Sequence, residues 1–124
     1  MAKIESRINP SSEKYQSNFD YHKGLADDLD GVLAGIRKMG PPNRIEKHIA
    51  RGKQTARERI ENLKDPDIDF VEFSTLAAYQ VYDDTLPAAG IITGLISIHG
   101  RQCVVVANDA TVKGGTYYPL TVKK

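Results

Sequence analysis

From Tyr15 onward the apolar residues fall at positions 15, 19, 25, 29, 32, 33 and 36. That is a one-sided helical stripe, close to a heptad for three turns or more. Ser11 or Ser12 can cap its start, Glu13 suits the positive end of the helix dipole, and Arg37 and Lys38 suit the other end. Gly40-Pro41-Pro42 stops it. Gly31 and Gly35 weaken the helix and let a neighbour approach closely. A long helix with a single apolar stripe must bury that stripe, against this chain, a partner subunit or further polypeptide.

Two shorter helices follow, over about 44–51 and 56–64, broken near Gly52. Asn43 with Glu46 and Thr55 with Glu58 each have the spacing of a capping box. Ile45, Ile49, Ala56, Ile60 and Leu63 form their apolar face. Asp65-Pro66 ends the helical part, and Ile68 to Phe73 reads as a short strand. Leu76 to Leu86 is ambiguous, with Tyr79 and Tyr82 as packing aromatics, and Pro87 to Gly90 is a turn. Ile91–Ile98 and Cys103–Ala107 are strands joined through His99-Gly100-Arg101-Gln102, a hairpin signal. The second of these is apolar on both faces, which predicts a central strand covered on two sides. Pro119 suits the first turn of a last helix over Leu120 to Lys124.

The chain has 124 residues and a formal net charge of +1, so it fits one domain and carries no global field toward nucleic acid or an acidic surface. Its one cysteine, Cys103, sits in an apolar run and is expected to be a buried, reduced thiol. Met1 to Pro10 is polar without an apolar core, and no apolar run is long enough to span a bilayer. These features lead to the expectation of a soluble intracellular protein, without nucleic acid or membrane as a partner.

Chemistry is sparse. One cysteine and three dispersed histidines (His22, His48 and His99) give no zinc spacing, and no metal site is expected. His22 reads as a surface or partly buried histidine, and Asp83-Asp84 as a solvated acid pair. Lys113 precedes its glycines, so no Walker loop is present. There is no nucleophile elbow. Two places remain. After the strand ending at Ala107, Asn108 to Tyr118 carries a polar turn and Lys113-Gly114-Gly115, where an α/β fold can hold an anion. Around Gly52, the side chains of His48, Arg51, Lys53, Arg57 and Arg59 form a cationic cluster beside a helix start at Thr55. That cluster is either a solvated face balanced by Glu58 and Glu61, or a phosphate site.

Arg51-Gly52-Lys53, Ala56 to Leu63, Asp65-Pro66 and Phe70-Val71-Glu72 resemble the N-terminal signature of the carboxyltransferase β subunits of biotin-dependent acyl-CoA carboxylases. Gly90 to Gly94, followed by Val106 to Pro119, is similar to the same family further along. Lys-Gly-Gly, then Tyr-Tyr-Pro and Thr121-Val122-Lys123-Lys124, looks like the methylcrotonyl-CoA branch or its geranyl-CoA relative. The resemblance covers roughly residues 14–124. It implies an α/β, crotonase-like fold of stacked ββα units. Residues 1–66 would be a helical N-terminal extension, and 67–124 the start of the first carboxyltransferase domain. Family subunits are several times longer, so the sequence reads as an N-terminal fragment.

The resemblance also implies the reaction. Carboxylate moves from carboxybiotin to the γ-carbon of an enoyl-CoA, 3-methylcrotonyl-CoA first, with geranyl-CoA or propionyl-CoA as alternatives. A thioester enolate needs preorganised backbone N–H groups. The glycine pairs that the family uses for this lie downstream, so no catalytic residue is expected in this segment. Lys113, Gly114 and Gly115 are the candidate acyl-CoA contacts, and Lys53 and Arg57 the candidate CoA phosphate contacts. The glycines either admit a ligand close to the backbone or only satisfy a strained turn. Biotin would be carried by a partner α subunit, with other β subunits forming a homo-oligomeric core. The expected compartment is the bacterial cytoplasm, or the mitochondrial matrix in a eukaryote. The rival reading is a non-catalytic module that docks on a carboxylase assembly.

Overall fold

The computed structural model describes residues 5–83 and 85–124. Packing divides the chain into two compact units, residues 1–32 and 33–124. The expectations for Met1 to Pro10 and for the Asp83-Asp84 pair fall partly outside the described residues.

Helix α1 runs from Glu13 to Arg37. Ser12 caps it, its Oγ accepting from Tyr15 N at 3.3 Å. Within the first unit its stripe is left uncovered: Phe19, Leu25 and Leu29 are 52, 50 and 45% exposed.

In the second unit α2 spans Pro42–Ile49 and α3 spans Ala56–Leu63. The Asn43 capping box does not form. Pro42 occupies the first turn, where its missing N–H costs nothing, so the helix starts a residue before Asn43 and Pro41 stands at the cap without a side-chain bond. The Thr55–Glu58 box does form.

The sheet has the order β1-β2-β3, with β1 Val71–Phe73, β2 Ile91–Ile98 and β3 Arg101–Asn108, all antiparallel. Three expectations are corrected here. The strand read over 68–73 narrows to three residues, because Ile68 N bonds back to Asp65 O and keeps the entry as a turn. The hairpin turn shortens to His99-Gly100, since Arg101 already pairs with Ile98. The central strand is β2, whose residues are nearly all buried. β3 lies at the edge, with Val104 and Val106 70 and 64% exposed and Cys103 half-buried. Apolarity on both faces of β3 does not decide centrality, because β1 takes the other side of β2.

β1 can approach β2 because position 94 is glycine. A Cβ there would lie 2.3 Å from both Val71 O and the Phe70 ring. The core gathers Ile36, Met39, Ala56 and Ile60 with Leu86, Ala88, Ala89, Ile92, Ile96 and Val112. Truncating a fully buried isoleucine such as Ile92 to alanine removes about 2–5 kcal/mol. Helix α4, Pro119–Lys123, starts at the proline expected.

Candidate functional site: the open end of the hairpin

β2 begins and β3 ends at the same end of the hairpin, Ile91 opposite Asn108. A left-handed turn flanks each. On the entry side Ala88 (φ 48°, ψ 31°) and Ala89 (φ 55°, ψ 24°) lead into Gly90 (φ 74°). Such a conformation costs an alanine roughly 1–3 kcal/mol, and persists only where the surroundings over-determine it. Here they do. Lys124 Nζ donates to Ala88 O at 3.1 Å and to Ile91 O at 2.7 Å. Thr121 Oγ1 donates to Ala89 O at 2.7 Å, and Asp109 N to Gly90 O at 3.1 Å. Both alanine side chains are fully buried, so nothing larger fits. Burial holds the Lys124 ammonium below the usual lysine range; the Glu72 carboxylate opposes that shift and the Arg57 cation adds to it.

On the exit side the buried Asp109 Oδ1 accepts from Thr111 N at 2.7 Å and Thr111 Oγ1 at 2.6 Å, which bends the chain off the strand. Lys113 (φ 47°), Gly114 (φ 71°) and Gly115 (φ 81°) follow, all left-handed. The feet of this loop are stapled: Asn108 Nδ2 donates to Gly115 O at 3.2 Å, and Thr116 Oγ1 to Lys113 O at 3.0 Å. A Cβ on Gly115 would stand 2.9 Å from Asn108 Nδ2, whereas one on Gly114 would meet nothing within 4 Å. Gly115 therefore serves the turn, and Gly114 leaves exposed backbone that a ligand can approach. The segment from Lys113 to Gly115 forms one short turn, and α4 begins only at Pro119. Tyr82 and Tyr118 pack with ring centroids 5.4 Å apart, and Tyr82 Oη accepts from Leu120 N at 3.2 Å.

The other two candidates lie on the α3 side. Lys53 is exposed in the loop before α3. His48 closes that loop by donating from Nε2 to Gln54 O at 3.0 Å. The N–H groups of Thr55 and Glu58, at the start of α3, are taken. Glu58 Oε2 accepts from Thr55 N at 2.7 Å, and Thr55 Oγ1 accepts from Glu58 N at 3.3 Å. The bond from Thr55 N, and a second from Thr55 Oγ1 to Glu58 Oε2 at 2.9 Å, hold the Glu58 carboxyl below its ordinary range. Arg57 spends its terminal nitrogens on Glu72, at 2.9 and 3.0 Å, tying α3 to β1; its Nε is buried without a partner. Two open clefts of about 420 and 520 Å³ both border Arg57 and Glu61. The first sets Arg57 against Glu58 and Glu61; in the second Arg37, Arg57 and Lys64 face Glu61, Asp69 and Glu72. Neither offers the surplus positive charge that a polyanion needs.

The structure thus brings Lys113, Gly114 and Gly115 together on one loop and places Lys53 and Arg57 at the other helix. Among the described residues, no group of three or more His, Cys, Asp or Glu side chains is arranged to hold a metal ion. Sequence reasoning missed Lys124, Thr121 and the Ala88-Ala89 turn. Lys124 and Thr121 read only as parts of a helix, and nothing in an alanine pair signals left-handed backbone.

A family model described as "Carboxyl transferase domain" matches residues 47–124. The chain belongs to the carboxyl transferase family. It is 50% identical over 115 residues to the biotin-dependent 3-methylcrotonyl-coenzyme A carboxylase beta1 subunit of Mycobacterium tuberculosis, covering 93% of this chain and 22% of that protein. Among solved structures it is similar to the beta subunit of P. aeruginosa geranyl-CoA carboxylase, with a TM-score of 0.73 and 30% identity over 97% of this chain and 22% of that one. It is also similar to the transcarboxylase 12S hexamer with hydrolysed methylmalonyl-coenzyme A bound, with a TM-score of 0.76 and 32% identity over 83% of this chain and 21% of that one. The chain spans about a fifth of the length of the curated relatives it matches. The fold is α/β and that of crotonase-like carboxyltransferase domains, with the long helix α1 ahead of it.

Proposed function

We propose that this chain supplies one wall of the acyl-CoA site of a carboxyltransferase, with the open end of the β2–β3 hairpin as that wall. The observation that carries the reading is the open left-handed loop at Lys113-Gly114-Gly115, beside a turn whose Ala88, Ala89 and Gly90 carbonyls are engaged. Gly114 admits the thioester or pantetheine arm to the backbone, and Lys113 pairs with a CoA phosphate. Lys53 is a second, exposed phosphate contact. Arg57, with its terminal nitrogens on Glu72, contributes by fixing α3 against the sheet.

The whole protein would transfer a carboxylate to the γ-carbon of 3-methylcrotonyl-CoA. Carboxybiotin, carried by a partner α subunit, supplies the carboxyl group. No residue of this chain is assigned to hold biotin: the described clefts are open, and their acids equal or outnumber their cations. Other β subunits complete a homo-oligomeric core. The bacterial cytoplasm or the mitochondrial matrix is the compartment that goes with such an enzyme.

The test is a chimera. This sequence replaces the corresponding fifth of the M. tuberculosis beta1 subunit, which is assembled with its biotin-carrying partner. Transfer to 3-methylcrotonyl-CoA, lowered by Gly114→Val, is the expected result. Preference for geranyl-CoA or propionyl-CoA would move the substrate assignment. An assembled chimera with no transfer to any of the three would return the chain to a non-catalytic docking role.

A further inference from the structure

The clefts beside α3 hold at least as many acids as cations, and nothing shows what covers the outer face of β3. The strained turn at Ala88-Ala89 carries more, because of what stands on it.

The carbonyls of residues 88–91 are one platform for both feet of the glycine loop. The first foot is Asp109, whose N–H donates to Gly90 O at 3.1 Å. Thr111 bonds back to the Asp109 carboxylate, and Gly40 sits so close to Thr111 O that a Cβ there has no room. Val112 then lies over Gly90, its Cγ1 3.6 Å from where a Cβ would stand. Backbone bonding and packing hold this foot. The second foot is α4, which grips the platform through side chains. Thr121 Oγ1 donates to Ala89 O, and Lys124 Nζ donates to both Ala88 O and Ile91 O. Lys113-Gly114-Gly115 is the span between the feet. Alanine resists the left-handed conformation that positions 88 and 89 both adopt, so the platform keeps its shape only while its carbonyls are held. The ammonium of Lys124 bridges the two ends of the platform, and a charged donor bonds a carbonyl more strongly than a neutral one.

We propose that Lys124, assisted by Thr121, is a positioning residue for the acyl-CoA loop: it latches α4 to the left-handed turn and so sets the fraction of molecules in which Gly114 stands open to the ligand. The proposal rests on the acyl-CoA reading of that loop, and adds to it a residue that acts without touching the ligand. Apparent affinity scales with the competent fraction, so loss of the latch weakens binding while every ligand contact remains in the chain.

The test is a titration of the full 124-residue chain with coenzyme A, with amide spectra showing that each variant is folded. Lys124→Met should weaken binding about tenfold. Thr121→Val should weaken it less, and Thr121→Ser, which keeps the hydroxyl, should bind within about twofold of the parent. The deciding variant combines Lys124→Met with Ala88→Gly and Ala89→Gly. Glycine takes the left-handed conformation freely, so the turn no longer needs its latch and most of the lost affinity should return. A direct bond from Lys124 to the ligand would not be replaced by glycine at 88 and 89. A merely structural Lys124 would lower the unfolding midpoint and leave the affinity of the folded chain alone. Affinity that ignores Lys124→Met, or that falls and does not recover with the two glycines, would overturn the latch and leave the acyl-CoA loop standing. Should Lys124→Met fail to fold, Thr121→Val with the same two glycines decides by the same criterion. A parent chain that binds no coenzyme A at about millimolar concentration would overturn the acyl-CoA reading, and the latch with it.

Discussion

The two ends of the β2–β3 hairpin are built from the same backbone and clamped in opposite senses. At the closed end, His99 (φ 49°) and Gly100 (φ 74°) make a two-residue turn with both residues left-handed, which matches the twist of the strands. A carboxylate holds it: Asp65 accepts from Ser97 Oγ at 2.6 Å, His99 N at 2.7 Å and Gly100 N at 2.9 Å. Those bonds, that from Ser97 above all, keep the Asp65 carboxyl below its ordinary range. The donors at that end are spent on an internal anion, which leaves it unsuited to an external one. At the open end the clamps are donors, from Thr121, Lys124 and Asp109, and they consume carbonyl oxygens. The proposed acyl-CoA wall lies at this end, where the turn is held by its carbonyls beside an exposed glycine loop.

Substitutions can break this contrast. Ala89→Val asks a fully buried, left-handed position to take a β-branched side chain, and should cost about 3 kcal/mol or more in urea unfolding. Thr121→Val keeps the shape but removes the donor to Ala89 O and the acceptor for Tyr118 N; about 1–3 kcal/mol should be lost, read the same way. Alanine at Gly115 and at Gly114 should differ. Both pay about 1 kcal/mol for positive φ, but only Gly115→Ala must also displace the Asn108 amide, so its loss should be the larger. Equal losses would mean that Gly115 is no more committed to the turn than Gly114.

The closed end has a pH signature. A carboxyl with a depressed folded-state pKa contributes its full stability above the ordinary aspartate range, and loses it as pH falls through the depressed value. The stability gap between the parent and Asp65→Asn should therefore be flat near neutrality and close in acid. A gap that widened as pH fell would contradict the clamp.

Much of this architecture was legible in the chain. The α1 stripe, the Thr55–Glu58 box, the hairpin and the proline at α4 are local signals, and local geometry honours them. What failed was set by distant partners. Asn43 lost its cap to the proline before it, and β3 lost the centre of the sheet to β2, a matter of which strand β1 joins. At the site, Lys113, Gly114 and Gly115 announced themselves by residue type. The clamps did not, because Lys124 and Thr121 act on carbonyls more than thirty positions away, and Ala88-Ala89 carries no trace of the conformation imposed on it.

The most direct test is a titration of the 15N-labelled chain with coenzyme A, followed by amide chemical shifts. The account predicts that residues 88–91 and 109–118 move together while His99 and Gly100 stay still. Shifts confined to the closed end or to the α3 clefts, or no shifts at about millimolar coenzyme A, would contradict it.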